Sequence, residues 1–392
     1  MILEKQHDIE AFRSAIREWL GDVVPAGWPE RLAIAEHQEF EDFQRWWMIE
    51  RNKVGLAVPH WPVEYGGAGL SLSHQIVLAD EIARAGAPTM QMYIISLNHI
   101  PGTLIPFGTE EQKRKYLPGI PQGDVWCQGF SEPGAGSDLA SLRCRAEKKG
   151  DHYLINGQKI WSSYSMHARY CILLARTDFD VPKHAGISFF LLDMQTPGVE
   201  VRPIKQSSSR AEFGEIFLTD VKIPIENLVG KENEGWKVCQ ATLASERGVL
   251  AFEGAERQRY AIEEYYAGAV KSDAAWLQDD QLRREFMSLF AELQGSRRLI
   301  RQLLRENEDQ GGAHSMTPAF VKLTGTTLRQ KIGSLMVKVA GFEGQRFQLG
   351  AEDAPGHPMF EFISSFGGTI AAGSNEIMRN IIAERGLGMP KG

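Results

Sequence analysis

Four runs decide the fold: HYLINGQKIW (152–161), RYCILLART (169–177), GISFFLLDM (186–194) and EIFLTDVKI (215–223). Each is rich in β-branched and aromatic residues and is bounded by Gly, Pro or Asp, the pattern of short strands. Their spacing between Pro118 and about Val229 predicts a small barrel or sandwich. Outward in both directions the apolar period changes from two to three-and-four. IEAFRSAIREWL (9–20) and HQIVLADEIARAG (74–86) read as amphipathic helices. Beyond Gly235 the helical pattern returns in WKVCQATLASERGVL, QLRREFMSLFAELQGSRRLIRQLL, TGTTLRQKIGSLMVKVAG and SNEIMRNIIAERGLG. Helices, strands, helices is the order of an α+β multidomain chain. We expect an all-helical domain over 1–118, a β-barrel over 119–229 and a helical domain over 230–392.

Length supports several modules, because 392 residues at roughly 150 per domain gives two to three. The chain is 43% hydrophobic and 24% charged, so it can bury a large core and does not read as disordered or collagenous. Its net charge of −7 argues against a nucleic-acid backbone or an anionic membrane as main partner. The four cysteines, Cys127, Cys144, Cys171 and Cys239, are too widely spaced for a CxxC pair, which disfavours a disulfide scaffold or a structural zinc. The N-terminal segment is charged throughout, unlike a signal peptide, and the charge-free stretch 85–109 carries Pro88, Pro101 and Pro106, unlike a membrane span. A cytoplasmic location is expected.

No GxxxxGK[ST], HExxH, GxSxG or complete GxGxxG is present, which excludes the P-loop, zincin, hydrolase-elbow and common Rossmann readings. Two segments remain. Gln128-Gly-Phe-Ser-Glu-Pro-Gly-Ala-Gly-Ser-Asp138 describes a tightly turning backbone that offers N–H and O–H donors to an anionic or carbonyl-rich ligand, or else a structural loop. In Asn156-Gly-Gln-Lys-Ile-Trp-Ser-Ser163 the Asn-Gly pair predicts a hairpin turn, followed by a strand whose Trp161 either faces a flat ring or belongs to the core. Arg297, Arg301 and Arg305, four apart with Arg298 beside them, form a helical stripe that either grips phosphates or is solvated.

In order and spacing, QGFSEPGAGSDLASL, GDHYLINGQKIWSS, EIFLTDVKIPIENLVGKENEGW and GGTIAAGSNEIMRNIIAERGLG resemble the acyl-CoA dehydrogenase family over essentially the whole chain. The resemblance implies an N-terminal helical domain, a central β-barrel and a C-terminal four-helix bundle. It implies bound FAD, an acyl-CoA substrate dehydrogenated at the α,β position, and electron-transfer flavoprotein as acceptor. Gln128, Phe130, Ser131, Gly136 and Ser137 would then line the flavin and pantetheine side, and Trp161 and Ser163 would meet the isoalloxazine ring. Ser374 and Glu376 would approach the flavin, while Gly341 and Gly344 would meet the FAD of a neighbouring subunit. No metal is implied.

Two departures from the family pattern stand out. The position of the usual C-terminal glutamate base is Ala372, whose backbone N–H would still polarise the thioester carbonyl. In a subset of the family the glutamate comes from the first C-terminal helix, just before an arginine, which points to Glu246 as base and Arg247 at the CoA side. The helical neighbours of Glu246, at three and four residues, are Thr242, Leu243, Val249 and Leu250, an apolar setting that suits a base with a raised pKa. The second departure is a missing Arg-x-x-Phe-Gly segment; the comparable stretch is Tyr260-AIEEYYAGAVK. Such losses occur in branches resembling pimeloyl-CoA and steroid side-chain dehydrogenases, so the partner is either another copy, in a dimer or tetramer, or a paralogous subunit in a heterotetramer. A non-catalytic or FAD-sharing subunit, and an acyl-CoA oxidase or flavin monooxygenase of the same fold, are the competing readings.

Overall fold

The computed structural model describes residues 2–33, 35, 37–207, 210–244, 249–309, 316–346 and 357–390. Thirteen α-helices lie in these residues. They are α1 Ile9–Val23, α2 Trp28–Ala33, α3 His37–Lys53, α4 Leu72–Arg84, α5 Ile100–Phe107, α6 Glu110–Tyr116, α7 Gly235–Ala244, α8 Val249–Lys271, α9 Asp280–Asp309, α10 Thr317–Val339, α11 Gly341–Gln345, α12 Pro358–Ile370 and α13 Asn375–Ile381. The strands are β1 Trp126–Gly129, β2 Arg145–Lys149, β3 His152–Ser163, β4 Tyr170–Arg176, β5 Ile187–Asp193, β6 Val199–Ile204, β7 Phe213–Pro224 and β8 Leu228–Val229. Compactness groups the chain into two units, one of 1–36, 70–88 and 247–392, the other of 37–69 and 89–246.

Among the described residues the strand-bearing unit holds the eight strands in one sheet, ordered β6-β7-β3-β2-β4-β5-β8, with β1 parallel to β4. The expected closed barrel is not formed: β6 and β8 end the path, and no pairing joins them among the described residues. On β4 and β5 alternate residues enter two different cores, as period two requires. Ile172, Leu174, Phe189 and Leu191 pack with Ile100 and Leu104 of α5, Tyr116 of α6 and Val238 and Cys239 of α7. Cys171, Leu173, Phe190 and Leu192 pack with Tyr153, Ile155, Ile216, Leu218 and Val221 of β3 and β7. Strands buried on both faces read as continuous apolar runs, which is why RYCILLART and GISFFLLDM lack alternation. The β2–β3 hairpin turns at Gly150-Asp151, not at Asn156-Gly157, which lies inside β3 where its pairing with β7 shifts.

The helical unit shows the expected amphipathic logic. In α1 the Asp8 carboxylate caps the N–H groups of Glu10 and Ala11, and Phe12, Ile16 and Leu20 are buried at four-residue steps. A second core joins Ile76 and Ala79 of α4 to Phe252 and Ala255 of α8 and Ile300 and Leu304 of α9. Glu81 of α4, fully buried, accepts hydrogen bonds from Arg13, Arg17 and Arg84 at 2.8–3.0 Å. Glu256 of α8, also fully buried, takes both oxygens of its carboxylate to Arg297 of α9, at 2.8 and 2.6 Å. The arginine stripe is divided: Arg297 is spent on an internal ion pair and Arg301 lies 5.0 Å from the Phe252 ring, while Arg298 and Arg305 are exposed as on a solvated face. Among the described residues no helix is long and apolar enough to cross a membrane.

Burial alone would push the Glu81 carboxyl up, but the hydrogen bonds from Arg17, Arg84 and Arg13 outweigh it and hold its pKa down at about 2. A carboxyl depressed on folding stabilises fully above its ordinary value of 4.5, and that stabilisation is lost as pH falls through about 2. Glu81→Gln is expected to cost about 3 kcal/mol at neutral pH. Denaturant unfolding followed from pH 7 to pH 2 should show the gap between variant and parent narrowing below pH 4.5.

Candidate functional site

In the strand-bearing unit the candidate site grows from the end of β1. A Cβ on Gly129 would lie 2.9 Å from Leu173 Cδ1 and 3.1 Å from Cys171 Sγ, so a larger residue here would require these side chains to shift. Phe130 follows, its ring buried edge-on against Phe189 with centroids 5.7 Å apart. What Phe130 offers a ligand is therefore its backbone. The loop then doubles back: Glu132 and Ala135 exchange N–H···O bonds at 3.0 Å around Pro133-Gly134. Gly134, Gly136 and Ser137 are exposed, while the residue before them in β1, Gln128, is half-buried, as is Ser131.

The loop is fixed to β3 by a buried cation. Lys159 is fully buried, and its ammonium donates to Phe130 O at 3.1 Å and to Glu132 Oε1 at 2.8 Å. The Glu132 carboxylate also accepts from the N–H of Arg143 at 2.6 Å and of Cys144 at 2.8 Å. Next along the strand, Ile160 N–H donates to Ser131 O at 2.9 Å. Neither Lys159 nor Glu132 is evident from the motif alone. The available signal is parity, because a lysine sits where Tyr153 and Ile155 set the inward face.

Trp161 occupies an extra residue. Between the Lys159–Ile216 and Ser162–Gly214 pairs β3 advances three positions and β7 two, so β3 carries a bulge. Trp161 takes the left-handed conformation there, with φ 61°, unusual for a bulky residue. The bulge breaks the alternation: Lys159 and Ser162 are both buried, while the indole is 57% exposed and meets only the edge of Phe213, 6.1 Å away among ring contacts. Ser162 Oγ is buried without a hydrogen-bond partner among the described residues, and Ser163 is half-buried opposite Phe213.

The helical unit carries the other candidates. After α12 the chain passes through Ala372 at φ 54° and Gly373 at φ 82°, then Ser374 caps α13 by accepting from Ile377 N–H at 3.3 Å. Asn375, which the sequence reading does not single out, ties this turn to α10. Its side chain accepts from Lys322 and Thr326, both at 2.9 Å, and donates to Thr327. Glu376 is exposed and pairs with Arg379 at 3.1 Å; hydrogen bonds from its own backbone N–H and from Ser374 hold its carboxyl below the usual range. Gly341 opens α11 at φ 63° and Gly344 is buried within it. Glu246 and Arg247 lie outside the described residues.

Thiol chemistry is not available. All four cysteines are buried and unpaired, and burial pushes the Cys144 and Cys239 thiols up to about 11 and 12. No group of His, Cys, Asp and Glu among the described residues has the arrangement of a metal site.

Three family models cover the chain: the acyl-CoA dehydrogenase N-terminal domain at 6–124, the middle domain at 127–221 and the C-terminal domain at 233–387. The chain belongs to the acyl-CoA dehydrogenase family. Acyl-CoA dehydrogenase IpdE1 of Mycobacterium tuberculosis (strain ATCC 25618 / H37Rv) is 37% identical over 394 residues, covering 98% of each protein. Among solved structures, the Tcur3481-Tcur3483 steroid ACAD matches with TM-score 0.85 and 31% identity, over 98% of both chains. The ChsE4-ChsE5 complex from Mycobacterium tuberculosis matches with TM-score 0.79 and 27% identity, over 99% of this chain and 98% of that one. Membership makes the protein an acyl-CoA dehydrogenase, an oxidoreductase of a family that generally binds FAD. The family's helical, sheet and helical segments follow in the expected order, and the fold is the acyl-CoA dehydrogenase fold.

The left-handed φ at Trp161 costs a Cβ-bearing residue roughly 1–2 kcal/mol, and glycine nothing. Trp161→Gly should therefore be at least as stable as Trp161→Ala, by about 1 kcal/mol after the entropy of the unfolded chain is counted. Thermal melting of both variants checks this; a Trp held in place by core packing would instead lose about 3–5 kcal/mol in either variant.

Proposed function

We propose that the protein catalyses FAD-dependent α,β-dehydrogenation of an acyl-CoA thioester to the trans-2-enoyl-CoA and passes the electrons to an electron-transfer flavoprotein. The observation that carries this reading is Trp161: a strained, exposed indole beside the Ser131–Ser137 loop, in a chain alike to acyl-CoA dehydrogenases over its full length. The residues present suit a flavin. The indole offers a flat apolar face, the Ser162 hydroxyl lacks a partner among the described residues, and Gly134, Gly136 and Ser137 expose backbone N–H groups and a hydroxyl. When bound, FAD supplies the acceptor for the β-hydride.

In this reading Trp161 and Ser163 hold the ring system, and Gln128, Ser131, Gly136, Ser137 and the Phe130 backbone line the flavin and pantetheine side. Ser374 and Glu376 serve the same cofactor, and Gly341 and Gly344 serve that of a neighbouring subunit. Glu246 takes the α-proton on its carboxylate as the β-C–H electron pair leaves and the C=C bond forms. The Ala372 N–H polarises the thioester carbonyl, which makes the α-proton more acidic, and Arg247 lies at the CoA side. The segments 1–118, 119–229 and 230–392 carry the family's helical, strand and four-helix-bundle domains.

The acyl group we infer is bulky and steroid-derived, supported by the steroid ACAD among the solved relatives. A second reading, an FAD-sharing subunit of a heteromer, is favoured by the stretch at Tyr260. Where the family arginine is expected, Tyr260 donates to Asp80 at 3.1 Å and Arg259 pairs with Glu256 and Glu263, so this helix turns its polar groups to its own unit.

Anaerobic titration of the flavin-loaded protein with straight-chain, dicarboxylic and steroid-derived acyl-CoAs tests the proposal through oxidised-flavin absorbance. Bleaching by the steroid-derived thioesters is expected. Glu246→Gln should keep the flavin and bind the same thioester, yet bleach at least about a hundredfold more slowly. Reduction at the parental rate would sink Glu246 as the base; a colourless protein that yellows only with a second chain would favour the shared-site reading.

A further inference from the structure

Among the described residues no other lysine is buried, and Lys159 spends its charge on the loop. Phe130, Ser131 and Glu132 are each bonded to Lys159 or Ile160 of β3, at 3.1, 2.9 and 2.8 Å. The next residue on the strand is Trp161, at the bulge. On the other side, the Glu132 carboxylate reaches the N–H groups of Arg143 and Cys144, where the chain enters β2. One carboxylate and one ammonium thus join the start of the loop, its return and the strand that turns out the indole.

We propose that the Lys159–Glu132 ion pair is the positioning device of the cofactor site. It locks the Ser131–Ser137 loop in register with Trp161, so that the loop and the indole move as one body. The inference rests on the flavin reading above. Its physical ground is the choice of a charge where an apolar pair would serve stability as well, since burying two ions is seldom net favourable against a well-packed hydrophobic replacement. What an ion pair adds is direction. The ammonium has two acceptors at different points of the loop, and its stem passes beside Gly129, where an added Cβ would lie 3.4 Å from Lys159 Cγ. A slip of the loop by one residue breaks both bonds, whereas apolar contacts would tolerate it. The left-handed Trp161 needs such support, because a strained residue persists only where its surroundings over-determine it.

The test uses Lys159→Met and the double variant Lys159→Met/Glu132→Gln in the full chain. The double variant leaves no unpaired buried ion; the N–H groups of Arg143 and Cys144 meet different oxygens of the Glu132 carboxylate, so the amide oxygen keeps one of these bonds and gives up the other, a smaller loss than the stranded carboxylate of the single variant. Amide exchange is followed in residues 129–142 and 157–165 of the flavin-stripped protein, and FAD is titrated back by fluorescence. We expect both segments to exchange at least tenfold faster together, and FAD to bind at least tenfold more weakly, with the melting temperature of the double variant within a few degrees of the parent. Glu81→Gln, in the helical unit, serves as the control for lost stability and should leave FAD affinity within twofold. FAD affinity within twofold of the parent in the double variant, or faster exchange in the loop alone, would overturn the proposal. A parent chain that takes up no FAD, either alone or with a second subunit, overturns the flavin reading instead, and the exchange comparison then decides the lock by itself.

Discussion

A buried ammonium is tolerated only when its hydrogens find acceptors, and Lys159 finds two on the loop after β1, Phe130 O and the Glu132 carboxylate. The strand-bearing unit depends on that contact in a way it does not depend on any single apolar pair. The Tyr153, Ile155 and Leu173 core behind it sets which face of β3 is inward, but its apolar contacts are non-directional. The ion pair, together with Ile160 N–H on Ser131 O, is the directional element. Gly129 belongs to the same device, because a Cβ there would crowd Leu173 and Cys171 and lie 3.4 Å from Cγ of the Lys159 stem.

The helical unit solves the same problem with carboxylates. Glu81 and Glu256 are fully buried, and each is supplied with more than one guanidinium. Arginine suits this role, since its planar fork can address a carboxylate with two bonds at once and is always charged. The consequence is a frame in which α1, α4, α8 and α9 are joined by charge as well as by the Ile76, Phe252 and Ile300 core. Asp80 extends the frame through Arg13, Arg259 and Tyr260. Polar groups at Tyr260 are thereby consumed inside the unit, at the place where the family pattern expects an arginine directed to a neighbouring subunit.

The elements that were legible in the sequence are those governed by local period. RYCILLART and GISFFLLDM became β4 and β5, and the long amphipathic runs became α9 and α10. Closure of the sheet was not legible, because whether two end strands pair depends on the curl of everything between them. The Asn-Gly signal failed for a more specific reason. Asn156 is held inside the sheet by its own side chain, which donates to Asp220 and accepts from the Asp220 N–H, and Asp220 takes φ 50° at the matching irregularity on β7. A local turn preference yields to such a pair. The arginine stripe misled because a face of a helix says nothing about what faces it, here Glu256 from 41 positions earlier.

Strain marks what local rules leave unexplained. Of the residues the family resemblance singled out, Trp161 and Ala372 hold left-handed backbone that neither side chain favours. Each stands next to a polar anchor that fixes it: Lys159 and Glu132 before Trp161, Asn375 with Lys322 and Thr326 after Ala372. A glycine would remove the strain at either position, and the chain uses glycine freely in the adjoining turns. That the strained residue is in one case the largest side chain, and in the other the one whose backbone N–H the proposed mechanism assigns to the thioester carbonyl, argues that what is being held is an orientation. Without the extra residue at the bulge, strict alternation from Lys159 would carry the indole to the inner face of the sheet, and the protein would gain a core tryptophan in exchange for the exposed surface it now presents.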